Sequence, residues 1–515
     1  MLQALRLCVF TLALTGTAFT QTSDPIAQVR KYRQTHAAEI LQEFAALLAL
    51  PNVAHDAPQG RADIARNRGH IIQLFQKRGL KPQVLETPGA FPSIYAEYTA
   101  PNARQTVLFY AHYDGQPVTP EVWSTPPFTP TLRKGTMEAN AAVIPLTELK
   151  SPLPSESSDW RVYGRSTSDD KAPIIGFLTA FDALKAAGIA PSVNLKFLLE
   201  GEEEQGSGHL GDILDKYRDL LKADLMLICD GPAHASGQYQ LVYGARGVMG
   251  VDMTVYGPKR ALHSGHYGNW APNPAAELAH VLASMRDTEG RITIDGFYAD
   301  VDRVTPREAA ALDSLPDIDK SLRAELQLGR TEGGNKAVMW QIMSPSLNIR
   351  GIKAGEVGSS AANAIMTDAT ASIDFRMVPH QTPENVRRLV EAHLVKLGYT
   401  VLHAVPTKEE RMAHPRIAYL QWEGGYPSYR TSLDSPVGNA VASAMEAAVG
   451  KVFRVPTLGG SVPMYLFAEK LRMPILLVPI ANYDNNQHAS NENIRLKNFF
   501  DAIDIYGALF AELGL

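Results

Sequence analysis

Two hydrophobic periods alternate along this chain. Apolar residues recur at i, i+3 and i+4 spacing in AAEILQEFAALLAL and ARNRGHIIQLFQKRG, between Asp24 and about Gly79, which predicts amphipathic helices. Shorter apolar runs follow, QVLE, SIYAEYT and TVLFYA, with the length and β-branched or aromatic content of strands. A helix over APIIGFLTAFDALKAAG comes next and stops at Gly188, a residue suited to closing a helix C-terminus. VNLKFLLE and ADLMLIC are further strands with a helical stretch between them. Strands alternating with helices predict an α/β fold whose mostly parallel sheet carries helices on both faces.

The period changes near Gly244. GVMGVDMTVYG and ATASIDFRMVP alternate apolar and polar residues as half-exposed strands do, and AAELAHVLASMR and PENVRRLVEAHLVKLG follow them as helices. This β-α-β-α order predicts a small sheet with two helices on one face. The first pattern resumes near Pro436 with VGNAVASAMEAAVG and PILLVPI. The predicted organisation is one α/β domain in two parts, residues 19–244 and 429–515, interrupted by an inserted α+β domain over 245–428. Two stretches lack a period: Gly135 to Asp159, which reads as a long loop, and the polar segment from about Gly296 to Gln341. No internal repeat is evident.

Composition adds bounds. At 515 residues the chain is too long for one hydrophobic core. Its 45% hydrophobic and 20% charged content is that of an ordinary globular protein. A net charge of −5, without a basic run or nucleic-acid motif, argues against a nucleic-acid partner. Arg6 followed by an apolar stretch from Leu7, with small Gly16 and Ala18, predicts a signal peptide over residues 1–18 and export to the periplasm or beyond the cell. No later run is long enough to span a bilayer, so no membrane association is expected after cleavage. Cleavage removes Cys8 and leaves Cys229 alone, so no intrachain disulfide is expected.

Acidic and histidine residues then stand out by position. His112 follows TVLFYA, Glu203 and Glu204 follow VNLKFLLE, Asp230 follows DLMLIC, His488 follows PILLVPI, and Asp169 precedes the APIIG helix. In open α/β sheets chemistry collects beyond the carboxyl ends of the strands. Each residue also has a plain reading: a core histidine, an acidic loop, a helix cap at Asp169-Asp170, a surface histidine. Their convergence on one sheet edge favours a metal site built of imidazole and carboxylate. Asp114 can accept the other ring N–H of His112 and fix its tautomer. Of adjacent carboxylates, one can bind metal while the other takes a proton from water.

The strings HYDGQP, GRSTSDDK, LEGEEEQGS, ICDG, ALHSGHYG, FRMVP and GGSVPM…NNQHASNE, in this order, resemble the M20 metallopeptidase family, most of all its carnosinase-like, dipeptidase and glutamate-carboxypeptidase members. The resemblance implies two divalent metal ions, zinc by donor chemistry with manganese or cobalt as alternatives. It implies His112, Asp169 and Asp230 on one metal, Asp169, Glu204 and His488 on the other, with Asp169 bridging. Glu203 matches the general base that activates the water between the metals, Asp114 the residue orienting His112, and the Asp169–Asp170 bond is expected to be cis. The inserted domain resembles a lid and dimerisation domain, which implies a homodimer. There His263 matches a histidine that reaches the partner's site and stabilises the oxyanion. Asn363 and Arg376 match positions that contact substrate, and Gly460 and Ser461 can join Arg376 in binding a terminal carboxylate.

The chain departs from the family at Ser166 and Ala172, where glycine is usual. After Asn363 it has Ala-Ile-Met where Val-Ile-Pro is common. The interval between Asp114 and Asp169 is long, so its loop is expected to shape the substrate mouth. The resemblance implies an exopeptidase acting on dipeptides or the C-terminal residues of short peptides. An N-acyl amino acid amidohydrolase and a catalytically inactive binding protein on the same scaffold are the alternatives. The intact Glu203 and metal set argue against the last.

Overall fold

A computed structural model describes residues 24–514, so the expected signal peptide over residues 1–18 lies outside the described residues. The main sheet has eight strands in the order Gln83–Leu85, Ser93–Tyr98, Asn194–Glu200, Thr106–His112, Leu225–Ile228, Ile475–Leu477, Gln240–Val242 and Phe453–Val455. Its four central members, from Asn194–Glu200 to Ile475–Leu477, run parallel. Alternation explains their unbroken apolarity. Val107, Phe109 and Ala111 of one strand face the core beneath helices Lys171–Ala186 and Leu496–Ala511, whereas Leu108 and Tyr110 face the core beneath Leu210–Lys216 and Met464–Leu471. A strand buried on both faces has no polar side to show.

The inserted unit has a five-stranded sheet ordered Ser346–Lys353, Asp368–Met377, Gly247–Tyr256, Ile417–Tyr426, Thr400–Leu402. Helices Pro274–Met285 and Pro383–Lys396 cover one face, with Leu278, Val281, Val386 and Val390 packed on Met249, Val251, Ile373 and Phe375. The predicted β-α-β-α elements are all present, and three further strands join them. The chain enters and leaves this unit through one short ribbon, Gly244–Ala245 paired with Tyr429–Arg430. Here glycine is required: a Cβ on Gly244 would lie 2.3 Å from the Tyr429 carbonyl oxygen, and one on Gly247 2.6 Å from the Ser428 nitrogen.

The two unpatterned stretches are ordered by packing. Residues 135–159 lie over the N-terminal helices: Leu146, Leu149 and Leu153 pack against the main core, and Ser151 meets Ala38 and Glu39. The loop therefore braces the scaffold, and none of its recorded contacts reaches a candidate ligand. The polar segment forms short helices Pro306–Asp313, Asp319–Glu325 and Val338–Gln341. It returns to the main unit, where Arg307 donates to the Leu433 carbonyl and Glu308 pairs with Arg430. Among the described residues no helix is long and apolar enough to cross a membrane.

Candidate metal centre

The four parallel strands deliver their following residues to one place. His112 is fully buried at the end of its strand, with Nε2 2.8 Å from Asp169 Oδ1, 3.9 Å from Asp230 Oδ2 and 4.0 Å from Glu203 Oε2. The other Asp169 oxygen is 3.0 Å from His488 Nε2, which lies 3.4 Å from Glu204 Oε2. Asp169 thus offers one oxygen to each histidine, the disposition a bridging ligand needs. Ligand atoms of His112, Asp169 and Glu204 lie within 4.8 Å of one another, as do those of His112, Asp170 and Asp230.

Asp114 organises two elements at once. Its Oδ1 is 3.3 Å from His112 Nδ1, and its two oxygens accept the backbone N–H groups of Glu203 and Glu204 at 3.2 and 3.0 Å. With Nδ1 occupied, Nε2 is the nitrogen aimed at the cluster. The bond between Asp169 and Asp170 is cis. Asp170 makes no side-chain cap to the helix it precedes; its carboxylate instead accepts the His112 N–H, and its Oδ1 has no protein partner.

Charge at this site is unbalanced. Burial, and then the neighbouring Asp169, push Asp230 up to about 6 and Glu204 up to about 7. Burial also holds Glu203 well above the usual carboxylate range. Burial opposes charge on His112, but its hydrogen bonds to Asp114 and Asp169 outweigh it and raise the ring's pKa. The hydrogen bond to Asp169 likewise raises His488. Alone, the protein makes ionisation of these acids costly. A divalent cation offsets that cost. The buried, orphaned Oδ1 of Asp230 and the imidazole–carboxylate donor set fit such an ion.

Several residues outside the expected ligand set hold this arrangement. Glu492, fully buried, takes five donors: Arg165 Nη1 at 2.7 Å, Ser166 N at 2.9 Å, Ser168 N and Oγ each at 2.9 Å, and Asp169 N at 3.1 Å. It ties the His488 segment to the Asp169 loop. Gln487 donates to Asp169 Oδ2, and Gln116 to Glu204 Oε2. Ser166, at a position where glycine is usual, has φ +63° and accepts a hydrogen bond from Asn52 Nδ2. Its small side chain is accommodated in the left-handed region. Glu202 is buried, where it accepts the Phe91 and His209 N–H groups.

The inserted unit supplies a second group. Arg376 Nη1 donates to Ser461 Oγ at 2.8 Å, across the gap between the two units. Arg246, which no sequence pattern marks, lies beside them. Its backbone N–H meets the Gly460 carbonyl at 3.3 Å, its Nη2 meets Ser346, and its buried Nε has no partner. Burial, and then the nearby Arg376, lower its pKa to about 10. Two guanidiniums and a hydroxyl, with the Asp374 carboxylate 3.5 Å from Arg376 Nε, have the donor chemistry that suits an anion. His263 and Asn363 sit together on a separate ribbon, Leu262–His263 with Ala364–Ile365. There the exposed His263 ring accepts the Gly265 N–H, and among the described residues no hydrogen bond or ion pair links either residue to the His112–His488 cluster of the same chain.

A sheet edge that gathers two histidines and their carboxylates in one cluster is the donor set of a metal-dependent hydrolase. The family profile described as peptidase family M20/M25/M40 matches residues 142–512, and the chain belongs to that family. It is 28% identical to a Cys-Gly metallodipeptidase of Schizosaccharomyces pombe over 92% of this chain and 95% of that one. It is 26% identical to a β-Ala-His dipeptidase of Homo sapiens over 98% and 97%. Among solved structures, an M20 family metallo-carboxypeptidase from Sulfolobus solfataricus aligns with TM-score 0.72 at 27% identity over 92% of this chain and 98% of that one. Human carnosine dipeptidase 1, at 22% identity, shares the fold with TM-score 0.67 over 95% of this chain and 99% of that one.

Proposed function

We propose that this chain is an exported, two-zinc dipeptidase that removes a C-terminal residue bearing a free carboxylate and works as a homodimer. The observation that supports the substrate assignment is the Arg376–Ser461 contact, a guanidinium and a hydroxyl brought together from the two units, with donors suited to a carboxylate. His112, Asp169 and Asp230 would hold one ion, and Asp169, Glu204 and His488 the other. Bound divalent ions supply Lewis acidity and make water a better acid at neutral pH.

The remaining work falls to the chain's own groups. Glu203, whose carboxyl burial raises well above the usual carboxylate range, takes a proton from the attacking water and returns it to the leaving amine. Asp114 keeps His112 and the Glu203–Glu204 backbone in register. Arg376, with Arg246, Ser461 and the Gly460 segment, anchors the substrate's terminal carboxylate, which confines the enzyme to short substrates with a free C-terminus.

The dimer reading rests on the inserted unit's surface. Ser346–Lys353 is an edge strand of its sheet, and Ile352, Val357 and Trp270 are 62%, 86% and 78% exposed. An unpaired edge with apolar neighbours suits a second copy. His263, exposed on the same unit, would then enter the partner's cleft and stabilise the oxyanion.

The test is mass-spectrometric profiling of dipeptides, longer peptides and N-acyl amino acids with added zinc or manganese, alongside a chelator-treated control. Metal-dependent loss of dipeptides is expected. Turnover confined to N-acyl amino acids would overturn the peptidase assignment, and an active monomer on gel filtration would overturn the in-trans role of His263.

A further inference from the structure

The sheet register of the inserted unit sets three side chains in a row. Val248 is paired with Arg376 on one side and with Tyr426 on the other. Directly opposed residues on neighbouring antiparallel strands share a face. Arg376, Val248 and Tyr426 therefore face the same way, opposite to Met249 and Phe375, which enter the helix-covered core. With strands about 4.8 Å apart, the arginine and the tyrosine are rooted ~10 Å from each other, with the valine between.

The main unit presents a matching row. Ser461 receives the Arg376 guanidinium at 2.8 Å. Four residues later, in the helix Met464–Leu471, Tyr465 stacks on Tyr426, ring centroids 5.1 Å apart and planes within 9° of parallel. The gap between the units thus has a carboxylate receptor at one end and a double aromatic wall at the other, with an aliphatic floor. Tyr426, Tyr465 and Val248 are all only partly buried, so surface remains for a ligand. Burial, then the charge of Glu203, push the Tyr426 hydroxyl up to about 12, with Arg376 opposing.

We propose that Tyr426 and Tyr465 are specificity-determining residues: they form the wall against which the side chain of the substrate's C-terminal residue packs, and they select a flat ring, aromatic or imidazole, there. The inference rests on the peptidase reading. A carboxylate held by Arg376 and a scissile bond at Glu203 leave the C-terminal residue between them, so its side chain meets Val248 and the stacked rings. Ring–ring contact in offset or edge-on geometry adds attraction beyond area burial, which glycine or an acidic side chain cannot match.

The metal-loaded enzyme is assayed on Ala-Phe, Ala-His, Ala-Gly and Ala-Asp, with kcat and KM resolved for each. The wild type should favour the two ring-bearing substrates over Ala-Gly and Ala-Asp by about tenfold or more in kcat/KM. Tyr465→Ala and Tyr426→Ala should shrink the Ala-Phe to Ala-Gly ratio by about tenfold, mainly through KM, and Tyr465→Phe and Tyr426→Phe should restore it. Because the readout is a ratio within each variant, loss of folded protein does not alter it. A wild type that prefers Ala-Gly or Ala-Asp, or alanine variants that lower every substrate equally, would overturn the wall. Failure to cleave any dipeptide with metal bound would instead overturn the underlying peptidase reading, and the wall with it.

Discussion

Replacing Glu492 by glutamine is the sharpest probe of how the centre is held. The carboxylate is fully buried and accepts from Arg165, from the backbone N–H groups of Ser166, Ser168 and Asp169, and from the Ser168 hydroxyl. Whichever way the new amide turns, its NH2 faces donors: Arg165 and Ser166 on one side, Ser168 and Asp169 on the other. Only the Ser168 hydroxyl can rotate to accept. The change also leaves the Arg165 guanidinium, 2% exposed and stacked at 5.1 Å on Trp123, without its ionic partner. Removing one member of a buried ion pair costs about 3–5 kcal/mol. Part of that cost is expressed at the metal centre, because the Asp169 N–H is one of the released donors. Loss of a hydrogen-bonding partner behind a ligand typically lowers metal affinity about 10–100-fold. The assay is zinc per chain after equilibration against a competing chelator, read beside thermal unfolding. Weakened metal binding in still-folded protein is expected. Unchanged zinc affinity and unchanged melting would falsify the clamp, and lower melting with unchanged affinity would reduce Glu492 to a structural residue.

Other expectations follow from the same geometry. Glu203→Gln should keep both metals, since the proposed ligand set does not include it, and lose about 10²–10⁴-fold in kcat; full activity would move the base elsewhere. In metal-stripped protein, burial and the neighbouring Asp169 raise Asp230 to about 6 and Glu204 to about 7. Acids whose folded pKa is raised bind more protons folded than unfolded, so stability should fall as pH rises from about 4 to 7. Stripped enzyme should therefore melt higher at pH 5 than at pH 7.5 and loaded enzyme should not, as checked by scanning calorimetry with and without chelator. Arg376→Met should cost about 30–100-fold in kcat/KM on dipeptides with a free carboxylate. It should also erase the preference over the corresponding dipeptide amides, and a retained preference would locate the receptor elsewhere.

What the sequence exposed and what it hid divide along physical lines. His112, Glu203, Glu204, Asp230 and His488 were legible because each follows a buried parallel strand, and such strands announce themselves as unbroken apolar runs. Asp169 was legible from the helix it precedes. Glu492 gave no such signal: its partners are backbone N–H groups on a loop distant in sequence, and a carboxylate that receives a loop looks the same in sequence as one that faces water. Arg246 hid in a short ribbon with no hydrophobic period. Tyr426 followed Gly424-Gly425, where the alternation of its strand breaks. The strand Ser346–Lys353 lies at a sheet edge and is mostly exposed, so no apolar period marks it. The loop over residues 135–159 was expected at the substrate mouth, but Leu146, Leu149 and Leu153 are drawn to the core beneath the N-terminal helices, a destination that scattered leucines among prolines and serines do not disclose.

The strand Ile475–Leu477 lies between Leu225–Ile228 and Gln240–Val242, yet it leaves the ribosome only after the whole inserted unit has been made. Until then the strand Leu225–Ile228 waits with an open edge, and His112, Asp169, Glu204 and Asp230 wait without His488 and without the Glu492 clamp. A nascent or truncated chain therefore holds four of the proposed acid or imidazole ligands on an unfinished sheet, where an open edge invites pairing with other chains. Closing the sheet and completing the metal centre are one late event, performed by the last strand and the loop that follows it. Metal loading should accordingly report on completed chains alone, and chains truncated before Ile475 should aggregate rather than accumulate as a half-active enzyme.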